Sequence, residues 1–99
     1  MNARMGRVDF EQDKADDVVS HVRENVVPMY EGTDGFKGFT LLLDRSNGEG
    51  IGISFWESED ALHGSDELGQ EARDQIKEVG EAEADPERMD WEVVIDDTA

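Results

Sequence analysis

The stretch "LLLDRSNGEGIGISFWESEDAL", Leu41 to Leu62, decides how this chain folds. It reads as a strand, a turn, a second strand and the start of a helix. Ser46-Asn47-Gly48 supplies the turn, because Asn and Gly tolerate the positive φ that a tight hairpin demands. Gly50 to Trp56 is the return strand. Ser58 then stands as a helix N-cap, with Glu59 and Asp60 in the first turn, where the helix dipole favours negative charge. The first of these strands is apolar on both faces. Phe39, Leu41 and Leu43 point one way, and Leu42, between Thr40 and Asp44, points the other.

Working outward, the strand holding those leucines extends back to Gly35. Ala3 to Phe10 reads as an earlier strand, with Met5, Val8 and Phe10 as its apolar content. Asp13 is a plausible cap for a helix in which Val18, Val19, Val22, Val26 and Met29 recur at helical spacing. Pro28, Gly32 and Gly35 close that helix. Beyond the quoted stretch, Gly64 breaks the short helix and Ser65 caps a longer one. The longer helix carries Leu68, Ala72, Ile76 and Val79 as its apolar stripe, and Gly80 ends it. "EAEADPER" is a polar loop, and Met89 to Ile95 is a last strand. The order βαββαβ over one domain, residues 1–99, predicts an α+β ferredoxin-like fold. It has one four-stranded antiparallel sheet with helices on one face.

Such a sheet needs only one apolar face, yet these strands offer two. On the return strand Ile51, Ile53 and Phe55 oppose Gly52, Ser54 and Trp56; on the last strand Trp91, Val93 and Ile95 oppose Glu92 and Val94. Assigning the greasier set to the helices leaves Leu42, Ser54, Trp56, Glu92 and Val94 on the open face. Soluble monomers avoid exposing such a patch. A homodimer with two sheets packed face to face would cover it; a ligand is the other candidate cover. Arg7 and Glu92 are expected to meet there as an ion pair, which would fix geometry more than supply catalysis.

The charge pattern narrows the partners. The formal net charge is -17, with 26 acids against 9 Lys and Arg. Nucleic acid and anionic membrane are polyanions and are excluded as partners on that ground. The acids are spread along the chain, and arginine outnumbers lysine. That resembles the surface of a salt-loving organism's protein, where molar salt cuts the Debye length to about 3 Å and screens carboxylate repulsion; a docking face for a basic partner is the other reading. There is no cysteine, hence no disulfide or thiolate chemistry. No apolar run approaches the roughly 20 residues a membrane span needs, and "MNARMGRVDFEQ" has no apolar signal core. A soluble, cytoplasmic protein is the expectation.

"GFKGFTLLLDRSNGEGIGISFWESEDAL" resembles the hairpin and helix start of the dimeric α/β-barrel superfamily, the group that includes antibiotic biosynthesis monooxygenases. The resemblance rests on Pro28 late in the first helix, Asp34-Gly35-Phe36 at the strand entry, Trp56, Ser58 and Ala61 in a Trp-x-Ser-x-x-Ala element, and the closing "MDWEVVID". It implies a barrel-forming homodimer. It also implies an enzyme of the cofactor-free oxygenase kind, using a pocket between helices and sheet to hold a small apolar or aromatic molecule. Relatives that degrade heme place an Asn in strand one, a second Trp in the helix after the Trp motif and a heme-ligating His further along. Here strand one reads "MGRVDF", Ser65 stands near the second Trp position, and "LGQEARDQIKEVG" has no His. Heme degradation is not expected, and no cofactor is.

The candidate pocket residues are His21, Tyr30, Phe36, Trp56 and His63. Either histidine could act as an acid, base or polar anchor at a pocket edge. Equally, His21 could be a half-exposed surface residue, and His63 a helix-end imidazole complementing the dipole. The aromatic residues could floor a ligand pocket or simply fill the core. No metal site is expected. Asp16-Asp17 and Asp96-Asp97 read as solvated charge, and neither histidine has a second ligand at helical spacing except across Gly64. Gly48 to Gly52 lacks the lysine and following helix of a phosphate loop. A non-catalytic dimeric module that binds a ligand or merely assembles is the alternative function. A cavity reached past Trp56 or His63 would favour the enzyme.

Overall fold

The structure is a computed structural model and describes residues 1–97. Its four strands are β1 (Asn2–Asp9), β2 (Phe36–Asp44), β3 (Glu49–Trp56) and β4 (Glu87–Glu92). They form one antiparallel sheet in the order β2-β3-β1-β4. That is the ferredoxin-like arrangement. The helical layer lies on one face. A 3-10 turn, Gln12–Lys14, leads into α1 (Ala15–His21), and a π turn, Val22–Val26, passes the chain to α2 (Val27–Glu31). After β3 come α3 (Glu59–Gly64) and α4 (Asp66–Val79).

The π turn has a local cause. Pro28 has no N–H to donate, and its ring would collide with the carbonyl four residues back, that of Glu24. The backbone widens just before it, so that the Val27 N–H reaches the Val22 carbonyl five residues away. Asp13 does not cap α1: the chain enters through the 3-10 turn, and no side chain caps the first helical turn. Ser58 does cap α3, its Oγ accepting from the Ala61 N–H at 3.1 Å. The last strand covers 87–92 and not 89–95, because Glu87 to Glu92 pair with β1 and the chain leaves the sheet at Val93.

The sheet register corrects the assignment of faces. Leu41 sits opposite Gly52, Phe39 opposite Ser54 and Leu43 opposite Gly50, and directly paired residues share a face. Phe39, Leu41, Gly52 and Ser54 face the helices together with Val26, Ala72 and Ile76. Thus β2 is oriented as its pattern predicts, but β3 is inverted. Trp56 is 0% exposed and Ser54 is buried, both beneath the helices and not on the open face. The reason is volume. The Phe39 ring lies where Gly52 has no side chain, so that a Cβ there would meet its Cζ at 3.0 Å; Leu43 similarly covers Gly50. The small residues of β3 make room for the large ones of β2.

A bulge adds to this. Phe36 pairs with Trp56 and Gly38 with Phe55, leaving Lys37 as an extra residue. Phe36 and Phe39, three apart, therefore share the helix face. The open face carries Leu42, Ile51, Ile53, Phe55, Met5, Met89 and Trp91. Leu42 and Trp91 are 52% and 55% exposed. Glu92 pairs with Asn2 and takes the opposite parity, and Val94 lies beyond the strand. Arg7 contacts Glu49 at 2.5 Å and Glu87 at 3.6 Å; Glu92 lies at the far end of the same strand pair.

Gly35 has φ +80°, and a Cβ on it would come within 2.4 Å of the Ala61 Cβ. It is the point where β2 enters against α3. Gly35→Ala is expected to cost about 2–4 kcal/mol from backbone strain and overpacking together. The shift of the denaturant midpoint at unchanged slope measures it.

Candidate functional site: a buried arginine pair between helices and sheet

Aromatic packing organises one end of the helix–sheet interface. The buried Tyr30 ring stacks on Phe36 and Phe39 at centroid distances of 5.7 and 6.0 Å, and meets Trp56 edge-on at 5.5 Å. Trp56 Nε1 donates to Ser54 Oγ at 2.9 Å, which satisfies the only polar atom of the indole.

Beside this cluster lies a cavity of about 30 Å³, enough for a water molecule or two. Gly6, Gly52 and Gly69 stand in its walls, where Arg73, Phe39 and Arg4 pack into the space their missing side chains leave, and its polar lining is Arg4, Arg73, Ser54 and Tyr30. Phe39 and Leu41 also line a second, open cleft of about 510 Å³ between α1–α2 and β2. Val19, Val22, Val27 and Leu43 complete its apolar walls, with Arg23 and Arg45 at its margin. Phe39 and Leu41 are common to the two linings, with Arg4 and Arg73 bordering the inner cavity and Arg23 and Arg45 the outer cleft.

Arg4 is 3% exposed and comes from β1, facing the helices. Its Nη2 donates to the Leu62 carbonyl at 2.7 Å, Ser65 Oγ at 3.0 Å and Asp66 Oδ1 at 2.8 Å. These bonds pin the junction of α3 and α4 to the sheet. Its Nε and Nη1 are buried without a partner. Arg73, on α4, is 6% exposed and donates to Gln70 Oε1 at 3.2 Å. Desolvation first, then the charges of Arg4 and Arg88, hold its guanidinium below the usual arginine range. Arg88, from β4, shares Asp66 Oδ1 at 2.8 Å and also binds Asp90.

The predicted residues divide. Tyr30 lines the cavity, and Phe36 and Trp56 support it from the aromatic cluster. The histidines are elsewhere. His21 Nε2 meets Gln75 Oε1 at 2.9 Å, bridging α1 and α4, and exposed His63 stands 3.4 Å from Asp66 Oδ2. Neither Trp56 nor His63 lines the cavity or the outer cleft, which share Phe39 and Leu41. Arg4, Arg73 and the wall glycines were not anticipated. A signal existed: Gly69, Ala72, Arg73 and Ile76 follow i, i+3, i+4, i+7, which places Arg73 inside a buried stripe. Among the described residues, no group of three or more His, Cys, Asp or Glu side chains could hold a metal ion.

Burial works against ionisation of Asp66, but hydrogen bonds from Arg88, His63 and Arg4, with the Arg88 charge, hold its carboxyl below the usual 3.8. A depressed native value means stability that is full above about pH 4 and lost as pH falls through the native pKa. Asp66→Asn should lower stability at neutral pH and flatten the acid limb below pH 4. Thermal midpoints measured across that range test both.

Comparison with known proteins agrees with this architecture. The curated relatives include the uncharacterised protein Rv2557 of Mycobacterium tuberculosis (strain H37Rv), 34% identical over 92% of this chain. The chain spans only 40% of that protein's length. Among solved structures, a monooxygenase from the gene ActVA-Orf6 of Streptomyces coelicolor, in complex with nanaomycin D, is similar in fold. It has a TM-score of 0.77 at 15% identity, covering 99% of this chain and 91% of that one. SnoaB, a cofactor-independent oxygenase from Streptomyces nogalater, gives 0.65 at 16% identity, over 96% and 94%. The family model for antibiotic biosynthesis monooxygenases matches residues 1–70, and the chain belongs to that family.

Proposed function

We propose that this protein is a cofactor-free, monooxygenase-like enzyme acting on a small flat apolar or aromatic molecule. One observation carries the reading: a cleft of about 510 Å³, walled by Val19, Val22, Val27 and Leu43 with Arg23 and Arg45 at its margin, shares Phe39 and Leu41 with an inner cavity bordered by Tyr30, Arg4 and Arg73. Small-molecule sites have that size and that pairing of apolar walls with a few polar groups. The substrate would lie in the cleft and reach the cavity as those two side chains yield. In the reaction a ring CH₂ of an electron-rich hydroxy-aromatic becomes C=O while O₂ gives its second atom to water. The substrate is then its own reductant. The relatives that are oxygenases by name, and the one bound to nanaomycin D, support this class of ligand.

A non-catalytic ligand-binding module is the second reading. It is favoured by the cavity lining, which holds no carboxylate and no imidazole. Oxygen uptake on an anthrone in air separates the two. The enzyme reading expects uptake above the buffer rate, equimolar with ketone formed. Val19→Trp, which fills the cleft from a half-buried position, should lower kcat/KM about tenfold. Ligand binding without uptake would leave only the module.

The reading includes a homodimer, working in the cytoplasm of a salt-rich cell. Its support is the open sheet face, where Leu42 and Trp91 flank Ile51, Ile53, Phe55 and Met89. A twin sheet packed there would remove the patch from water. Light scattering at low and at molar salt is expected to give a dimer that holds best in salt. Ile53→Glu, which puts a charge at the centre of that face, should give a folded monomer. A wild-type monomer at both salt concentrations would end the dimer proposal.

A further inference from the structure

The open face of the sheet is built in rows across the strands, because directly paired residues share a face. One end row runs Gly38, Phe55, Ala3, Trp91, from the β2 edge to the β4 edge. Its two ends are opposite in shape. Trp91 stands 55% exposed on one edge strand, whereas a Cβ on Gly38, on the other, would meet nothing within 4 Å. Ala3, 5% exposed, is the low point between the Phe55 and Trp91 rings. The row alternates small and large, so it interlocks with a reversed copy of itself. The next row, Thr40, Ile53, Met5 and Met89, carries no charge.

The other end of the face is acidic. Asp44, Glu49 and Asp9 stand side by side across β2, β3 and β1. Arg7, the next residue inward on that face of β1, reaches Glu49 at 2.5 Å, Glu87 at 3.6 Å and Asp9 at 3.8 Å. Glu49 above all, then Asp9 and Glu87, raise its pKa. Asp44 has no cationic partner among the described ion pairs; it accepts from the Asn47 backbone and side chain within the turn. One guanidinium thus stands against four carboxylates.

We propose that this face docks a second copy in the reversed sense, each Trp91 seating over the partner's Gly38, and that the carboxylate row then meets its own twin and gates association by charge. The proposal rests on the homodimer reading above and deepens it. A twofold axis parallel to the strands reverses each row while keeping its level, so a single patch complements itself. Aligned sheets keep their strands within about 30° of each other, which leaves the rows facing. The fit at Trp91 and Gly38 therefore carries a cost at the far end, where Glu49 comes over the partner's Asp9. Stacked sheets lie about 10 Å apart. The Debye length is also about 10 Å at about 0.1 M salt, but only about 3 Å at about 1 M. In dilute buffer the two rows repel, and in molar salt they are screened from each other.

The test has two arms. Sedimentation equilibrium is expected to show the wild-type dimer dissociation constant falling at least about tenfold between about 0.05 and about 1 M sodium chloride. Asp9→Asn combined with Asp44→Asn should dimerise tightly at both and lose most of that dependence. Glu24→Gln combined with Glu31→Gln removes the same charge from exposed positions in the helical layer and should keep it. The second arm reads the orientation. The chain has no cysteine, so Thr40→Cys and Met89→Cys can be made in separate chains, mixed in molar salt and treated with a short bis-maleimide. Reversed docking expects the link to form between the two variants. Each variant linking to itself, a salt dependence that Asp9→Asn with Asp44→Asn leaves intact, or one that the helical-layer control removes equally would overturn this inference and leave the homodimer standing. A wild-type monomer at every salt concentration would end both.

Discussion

The bonds made by Arg4 Nη2 hold the two halves of this fold together. β1 lies in the centre of the sheet, and α3 and α4 meet directly above it. The Leu62 carbonyl near the end of α3 accepts from Arg4 and from Ser65 Oγ, so a terminus that would otherwise be buried with an unmet acceptor is satisfied. Asp66, at the start of α4, then ties the same guanidinium to Arg88 on β4. One side chain thereby sets the position of the helix break, the tilt of α4 and its distance from the edge strand. Removing it would take one donor from Asp66, which keeps Arg88, and one from the Leu62 carbonyl, which keeps Ser65. Buried ion pairs of this sort are weak evidence for stability but strong evidence for geometry.

Much of the architecture was legible in the sequence. The hairpin, the α3 cap at Ser58, the break at Gly64 and the β2 face were all read from turn chemistry and period. The face of β3 was not, for a physical reason. Hydropathy asks which side of a strand prefers to be dry, whereas packing asks which side has room. On β3 these disagree: Ile51, Ile53 and Phe55 are the drier set, but Gly50, Gly52 and Ser54 are the roomier one, and the rings of β2 go where the room is. The bulge at Lys37 was hidden for a similar reason, since it changes parity without changing composition. Arg4 and Arg73 were missed because arginine is rarely read as interior, although the helical spacing of Arg73 pointed there.

The distribution of charge is the more unusual result. Acids crowd the surface while two of the six arginines lie inside, both lining one cavity. Desolvation, then the charges of Arg4 and Arg88, hold the Arg73 guanidinium below the usual arginine range. The polarity of the molecule is thus layered, negative outside and positive within. Apolar side chains, chiefly Phe39 and Leu41, lie between the two layers on the β2 side.

The π turn before Pro28 has a consequence for phase. Residues four apart on a regular α-helix advance about 40° per step around the axis, so three steps carry a side chain about 120° away from its starting face. Val18, Val22, Val26 and Tyr30 are four apart, yet all four are buried. The extra residue of the wide turn takes the drift back. Without it Met29, which fits the regular period, would point inward in place of Tyr30. Pro28 therefore does not end the helix, which runs on to Glu31: it sets the angular clock that brings a tyrosine, and not a methionine, to the cavity wall.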